Sequence, residues 1–217
     1  MTDMHLFIGN KNYSSWSFRP WIAMRHTEIP FQETLVPFTE DPEGNAENFV
    51  KFSPSSQVPV LKIGDVTLWE SLAILEYLAD AFPEKQLWPK DINVRATARA
   101  VSSEMHSGFG ALRNACPMNM RREPSKLDVD VAVRQNVQRI EQIWDDCLNT
   151  HGGPFLFGAF SVADAMYAPV VNRLEIYELS RHDAVLNYKK TMKGLTAWQE
   201  WETAGRAEPW KVPYDDL

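Results

Sequence analysis

Apolar positions in residues 53–78, SPSSQVPVLKIGDVTLWESLAILEYL, change period part-way along. Residues 60–63 and 66–69 are short β-branched runs separated by Gly64-Asp65, a pair suited to a tight hairpin turn, so two strands are predicted there. Beyond them Leu72, Leu75, Leu78, Ala79 and Phe82 recur at spacings of three and four, which predicts a helix with one apolar face. Ser71 stands where an N-cap is expected. Pro59 precedes the first strand, where no ladder donor is lost, and constrains Val58 to an extended conformation.

The same reading along the chain predicts a strand over 5–9, a polar loop through Tyr13, and a helix with Phe18, Trp21 and Ile22 on one face. Serines ahead of it and Pro20, read as lying in its first turn, mark its start. A second strand is predicted over 31–36 and a short helix over 45–52. The N-terminal order of strand, helix, strand, short helix, strand, strand, helix is that of a thioredoxin-like domain over residues 1–82. Residues 82–90, FPEKQLWPK, carry two prolines and no periodicity, so 83–89 read as a linker. From 90 to 217 strand signals nearly vanish. Val94, Ala98, Val101, Met105 and Leu112 trace one helical stripe, and Val133, Val137, Ile140, Trp144 and Cys147 another. Ser161-Val162-Ala163-Asp164 is a capping-box variant opening a helix that Pro169 is expected to kink. A last helix is expected over 190–204, followed by an irregular tail. The predicted fold class is an α/β thioredoxin-like domain followed by an all-α domain.

Composition narrows the function classes. A net charge of −7 and a pI near 5.3, with no block of basic residues, argue against nucleic acid as a partner. No apolar run approaches the roughly 18 residues of a membrane span, and the N-terminus lacks a signal-type segment, so the expected location is cytoplasmic. Cys116 and Cys147 have no metal-type spacing and are expected as buried free thiols, and the five histidines are scattered, so no metal is expected.

Candidate chemistry lies in three places. Glu70-Ser71 at a helix start offers an anion site beside a carboxylate suited to an ammonium, the two groups of a free amino-acid end. If the Val58–Pro59 bond is cis, the Val58 main chain can face outward to pair with an extended peptide. The cluster Ser14, Ser15 and Ser17 sits at the carboxyl end of the first strand, where open α/β sheets hold ligands.

Gln57-Val58-Pro59 followed by Glu70-Ser71 and an apolar helix resembles the glutathione-binding half of the glutathione S-transferase family. The resemblance implies a cis Val58–Pro59 bond, Val58 pairing with the cysteinyl backbone of glutathione, and Gln57, Glu70 and Ser71 holding its remainder. Ser14-Ser15-Trp16-Ser17-Phe18-Arg19 is similar to the zeta-class motif Ser-Ser-Cys-Ser-Trp-Arg. That implies Ser14 as the hydroxyl that stabilises the glutathione thiolate, with Ser15 as runner-up and Tyr13 a third hydroxyl in the loop. A hydroxyl suffices: moving a thiol of pKa about 8.5 down by about two units takes roughly 2.7 kcal/mol. One hydrogen bond to a charged acceptor supplies about 1.5–3 kcal/mol, and a helix N-terminus adds about 0.3–1 kcal/mol.

The resemblance also implies a homodimer and a small electrophilic substrate, held against Trp16 and, on the first long helix of the second domain, His106, Phe109 and Arg113. Glu104 is a weaker candidate for contact with a partner's glutathione. Two departures bear on maleylacetoacetate isomerisation, the zeta-class reaction. Trp16 replaces the motif's Cys, and the position of the class's substrate-holding arginine aligns with Ile176, Arg173 lying three residues earlier. The leading reading is a serine-type transferase, with glutathione peroxidase and isomerase as alternatives. A non-enzymatic regulatory protein on the same fold is the reading of another class.

Overall fold

The computed structural model describes residues 3–213 and Asp216. Four strands come first: β1 (Met4–Ile8), β2 (Gln32–Leu35), β3 (Val60–Ile63) and β4 (Val66–Trp69). They form one mixed sheet in the order β2-β1-β3-β4, with β1 parallel to β2 and antiparallel to β3. Alternation along β1 sends Met4, Leu6 and Ile8 into the main core, while His5 and Phe7 point the other way and stack with each other, Phe7 also stacking with Phe52.

Helix α1 (Ser15–His26) crosses from β1 to β2, α2 (Pro42–Phe49) lies between β2 and β3, and α3 (Ser71–Ala81) follows β4. After a 3-10 turn at Pro83–Lys85 the remaining elements are helical: α4 (Ile92–Ser107), α5 (Gly110–Ala115), α6 (Val131–His151), α7 (Val162–Ile176), α8 (Asp183–Lys193) and α9 (Thr196–Ala207). A sheet-bearing N-terminal domain therefore precedes a helical C-terminal domain, as the periodicities predict.

Local departures have physical causes. Pro20 lies in the interior of α1, and the helix tolerates it because it is packed on all sides; Phe18, Arg19, Trp21 and Ile22 are all buried. Ser71 is the first residue of α3 rather than its cap, which is Glu70 at φ +70°. Helix α2 begins and ends three residues earlier than predicted, and Phe82 falls outside α3. The stripe running from Val94 to Leu112 is broken: Gly108 ends α4, and Phe109, at φ +57°, starts a separate α5. The single helix predicted over 190–204 is two, because the chain turns at Gly194 between α8 and α9. Pro169 sits inside an α7 that runs unbroken through it. The tail is irregular through Pro213; Tyr214, Asp215 and Leu217 lie outside the described residues, as do Met1 and Thr2. Both cysteines are buried and free.

The capping box of α7 forms, and its carboxylate does more than cap. Asp164 is fully buried and accepts from Ser161 N–H at 2.8 Å, Ser161 Oγ–H at 3.0 Å, Leu156 N–H at 3.0 Å and Tyr188 O–H at 2.9 Å. It ties the 155–160 loop and α8 to the start of α7. Burial still pushes its acid up to about 6. Replacing Asp164 by Ala orphans three or four buried donors at about 1–3 kcal/mol each, so the expected loss is at least about 3 kcal/mol rather than the 0.5–2 of a simple cap. Urea unfolding of Asp164→Ala checks this; a loss below about 2 kcal/mol would show that the donors find other partners.

Candidate active site

A cleft of about 700 Å³ opens between the two domains. Its N-terminal wall is the start of α1 with Tyr13, Ser14, Ser15 and Trp16, the 55–59 loop, and Glu70-Ser71 at the start of α3. Its C-terminal wall is Arg113, Asn114, Pro117 and Met118, with Arg173 from α7. Phe38, Asn45, Ala46 and Phe49 close one side. Among the lining residues Glu70 is the one carboxylate, facing two guanidiniums.

Ser14 is the cap residue of α1 and is 4% exposed; its N–H donates to Asn10 C=O at 2.7 Å. Its hydroxyl donates to Ser17 Oγ at 2.8 Å, and Ser17 Oγ also accepts from Gly9 N–H at 3.1 Å. Ser15, the first residue of α1, also lines the cleft. The Tyr13 hydroxyl is engaged elsewhere, accepting from Arg121 Nη2 at 2.5 Å and from Val212 N–H at 3.3 Å. Three neighbouring hydroxyl residues are thus in unlike environments.

The Val58–Pro59 bond is cis, and the Val58 main chain makes no hydrogen bond among the described residues. The 53–57 turn before it is closed by Gln57 N–H donating to Ser53 Oγ at 3.1 Å. Glu70 is half-exposed, and its Oε2 lies 3.5 Å from His106 Nε2 on α4. Ser71 is fully buried and accepts from Arg19 Nη1 at 3.4 Å. The carboxylate and hydroxyl expected to share one ligand end are therefore adjacent but differently solvated.

The predicted electrophile residues divide. Trp16 and Arg113 line the cleft; His106 stands behind it, edge-on to Trp16 at 5.3 Å; Phe109 belongs to the core and is not part of the wall. Arg113 donates to the carbonyls of Met105 and His106 at 3.2 and 3.4 Å and to that of Gly108, capping the end of α4. Glu104 is held in a two-pronged pair with Arg139 in the same chain, at 2.8 and 3.0 Å. Ile176 is buried in the core, whereas Arg173, one turn earlier on α7, reaches the cleft and donates from Nε to Cys116 C=O at 2.9 Å.

Sequence reasoning did not single out Arg19. It is fully buried, its guanidinium stacks 4.0 Å from the Trp16 ring centre, and Nε and Nη2 have no hydrogen-bond partner among the described residues. Burial first, then the charges of Arg173 and Arg113, hold it well below the ordinary arginine range. The signal was in the spacing, since residues 15, 16 and 19 share a helical face. The guanidiniums of Arg19 and Arg113 over the Trp16 ring, with Arg173 reaching the same cleft, make its helical side attractive to anions.

An α/β domain with a cis-proline loop, joined through a cleft to a helical domain, defines a class of ligand-binding proteins built on the thioredoxin-like fold. Residues 13–81 match the Glutathione S-transferase, N-terminal domain family, and residues 118–204 match the Glutathione S-transferase, C-terminal domain family. The chain is 31% identical over 193 residues to maleylacetoacetate isomerase of Rattus norvegicus, covering 86% of this chain and 87% of that one. It is 27% identical over 161 residues to glutathione S-transferase zeta class of Euphorbia esula, covering 73% and 71%. The fold resembles that of a glutathione transferase homolog from Burkholderia solved with bound glutathione, at TM-score 0.71 and 21% identity, covering 96% of this chain and all (100%) of that one. This protein belongs to the glutathione S-transferase family.

Arg19 yields a prediction independent of any ligand. Replacing a buried, incompletely bonded charge by an apolar side chain of similar length is expected to raise stability by about 1–4 kcal/mol. Denaturant unfolding of Arg19→Met checks it, and a loss of stability would mean that the stack on Trp16 and the bond to Ser71 outweigh the buried charge.

Proposed function

We propose that the protein is a serine-type glutathione transferase that stabilises the thiolate of glutathione for attack on a small electrophile. The supporting observation is convergence: Ser14 and Ser15, Gln57 to Pro59, and Glu70 with Ser71 come from three separate stretches and line one cleft. In this reading Val58 N–H and C=O pair with the cysteinyl unit, Glu70 binds the γ-glutamyl ammonium, and Ser71 with the free amides of α3 binds its carboxylate. The Ser14 hydroxyl turns about its Cβ–Oγ bond from Ser17 to the sulfur. Ser17, still anchored by Gly9 N–H, then donates its own proton to Ser14 Oγ, which strengthens Ser14 as a donor.

Trp16 borders the sulfur's surroundings, and Arg113 and Arg173 favour an electrophile that carries or develops negative charge. That charge pattern, with the relatives named as maleylacetoacetate isomerases, supports isomerisation of an anionic substrate as the second reading; peroxide reduction is a third use of the same thiolate. The division at residues 83–89, a cytoplasmic homodimer and a role in detoxification belong to the same proposal.

Calorimetry of glutathione with wild type, Ser14→Ala and Glu70→Ala, paired with turnover of model electrophiles, tests it. Ser14→Ala is expected to keep its affinity while losing about 10²-fold in turnover, the scale of one transition-state donor. Glu70→Ala is expected to weaken binding. No binding to wild type would transfer support to a regulatory protein on the same fold.

A pH dependence accompanies this reading. Burial and the Arg19 and Arg113 charges hold His106 below the ordinary 6.5, against the opposing pull of Glu70. The ring is therefore neutral at pH 7 and leaves Glu70 to the ligand's ammonium. As pH falls through this lowered pKa, the protonated ring pairs with Glu70 and competes. Affinity for S-methylglutathione, which carries the same ammonium but no titrating thiol, should be nearly level above pH 6.5 and decline by up to about fivefold below, the worth of a partly exposed ion pair. His106→Gln should remove the decline, and an identical profile in that variant would count against the competition.

A further inference from the structure

We propose that the segment after α9 is a strap that positions Ser14, with Glu208 and Arg121 as positioning residues for the chemistry; the proposal rests on the transferase reading above. The loop before Ser14 uses its own Asn10 C=O to hold Tyr13 and Ser14 N–H, at 3.2 and 2.7 Å. The amides of the two residues between Asn10 and Tyr13, Lys11 and Asn12, which do not line the cleft, each meet one oxygen of the Glu208 carboxylate, at 2.6 and 3.1 Å. A carboxylate spanning two consecutive amides fixes the peptide plane between them in both tilt and position.

Arg121 fastens the strap from the other side. Its guanidinium donates to Glu208 C=O at 2.9 Å, Trp210 C=O at 2.7 Å and the Tyr13 hydroxyl at 2.5 Å. Its own N–H donates to Asn12 Oδ1 at 3.0 Å. Val212 N–H closes the circuit on Tyr13. Helix α9 lies directly on this loop: a Cβ at Gly205 would stand 3.0 Å from Asn12 N and Lys11 C. Loop, residues 119–121 and strap therefore form one hydrogen-bonded unit. Ser14 begins where that unit ends, so a shift of the Lys11–Asn12 peptide moves its hydroxyl relative to the cleft. Hydrogen bonding to a thiolate is steep in distance and angle, so Ser14 placement sets the thiol's acidity while the Val58 and Glu70 contacts set affinity.

The test uses the full chain with Glu208→Ala, Glu208→Gln and Arg121→Gln, each checked for folding, and two readouts. The first is the pKa of bound glutathione's thiol, followed by thiolate ultraviolet absorbance beside its dissociation constant. Glu208→Ala is expected to raise that pKa by about one unit, a roughly tenfold fall in the thiolate-to-thiol ratio, with affinity near neutral pH changed by no more than about threefold. Glu208→Gln, which keeps one acceptor oxygen, should recover part of it. The second readout is amide hydrogen exchange at Lys11 and Asn12, expected to accelerate in Glu208→Ala whether or not the protein is a transferase. An unchanged thiol pKa in folded Glu208→Ala and Arg121→Gln, or unchanged exchange at both amides, overturns the strap. Accelerated exchange with no thiolate in the wild type upholds the strap's hold on the loop and overturns the transferase reading together with the strap's catalytic role. Should Glu208→Ala not fold, Arg121→Gln carries both readouts.

Discussion

The burial of α1 on every side is the constraint on which this structure depends. The helix packs on β1 and α3 of its own domain and on α7 and α9 of the other, with Phe18 against Trp198 and Trp201 at 5.1 and 4.8 Å. A helix shared by two domains cannot move with either alone, so its N-terminus is a fixed point at the mouth of the cleft. Ser14 and Ser15 occupy that point. Placing them at the end of a confined helix preorganises their hydroxyls, which the proposed hydrogen-bonding role requires.

Confinement also explains the charge pattern. Arg19 projects from α1 where no solvent reaches, and it gains only Ser71 and the face of Trp16 in return. Arg113 folds back onto the end of α4 and, like Arg19, lies over the Trp16 ring, while Arg173 enters from α7 near enough to repel Arg19, so cations from three helices gather here. A core designed for stability alone would not gather them. The cost of burying Arg19 sits beside the cleft that gathers Ser14, Val58 and Glu70, where strain and unsatisfied polarity are expected to concentrate. The remainder of the helical domain offsets such costs with well-bonded polar groups, of which Asp164 is the clearest.

Much of the architecture was legible in the sequence because it is written in short-range pattern. The hairpin at Gly64-Asp65, the α3 stripe, the Ser161–Asp164 box and the order of elements each follow from neighbours within a few residues. The motif 57–59, Glu70-Ser71 and the serine cluster were legible as chemistry for the same reason, being short runs of distinctive side chains. The misread elements are those where local signals were balanced. Ser71 has a capping side chain, but the positive φ of Glu70 moves the helix start by one residue. The α4 stripe continues in register past Gly108, so only the backbone reversal at Phe109 separates two helices.

What tertiary structure decided is which residues meet. Nothing local distinguishes Phe109, which is buried in the core, from Trp16, which lines the cleft, or brings Arg173 rather than Ile176 to the site. Nor does a tail reading EPWKVPY announce that its first residue holds a loop 197 positions earlier. The sequence determined the elements and the reactive groups, because propensity and motif act within a turn or two of chain. Their distances, their burial and the electrostatic company they keep come from packing between segments far apart in sequence, and only the folded chain contains that information.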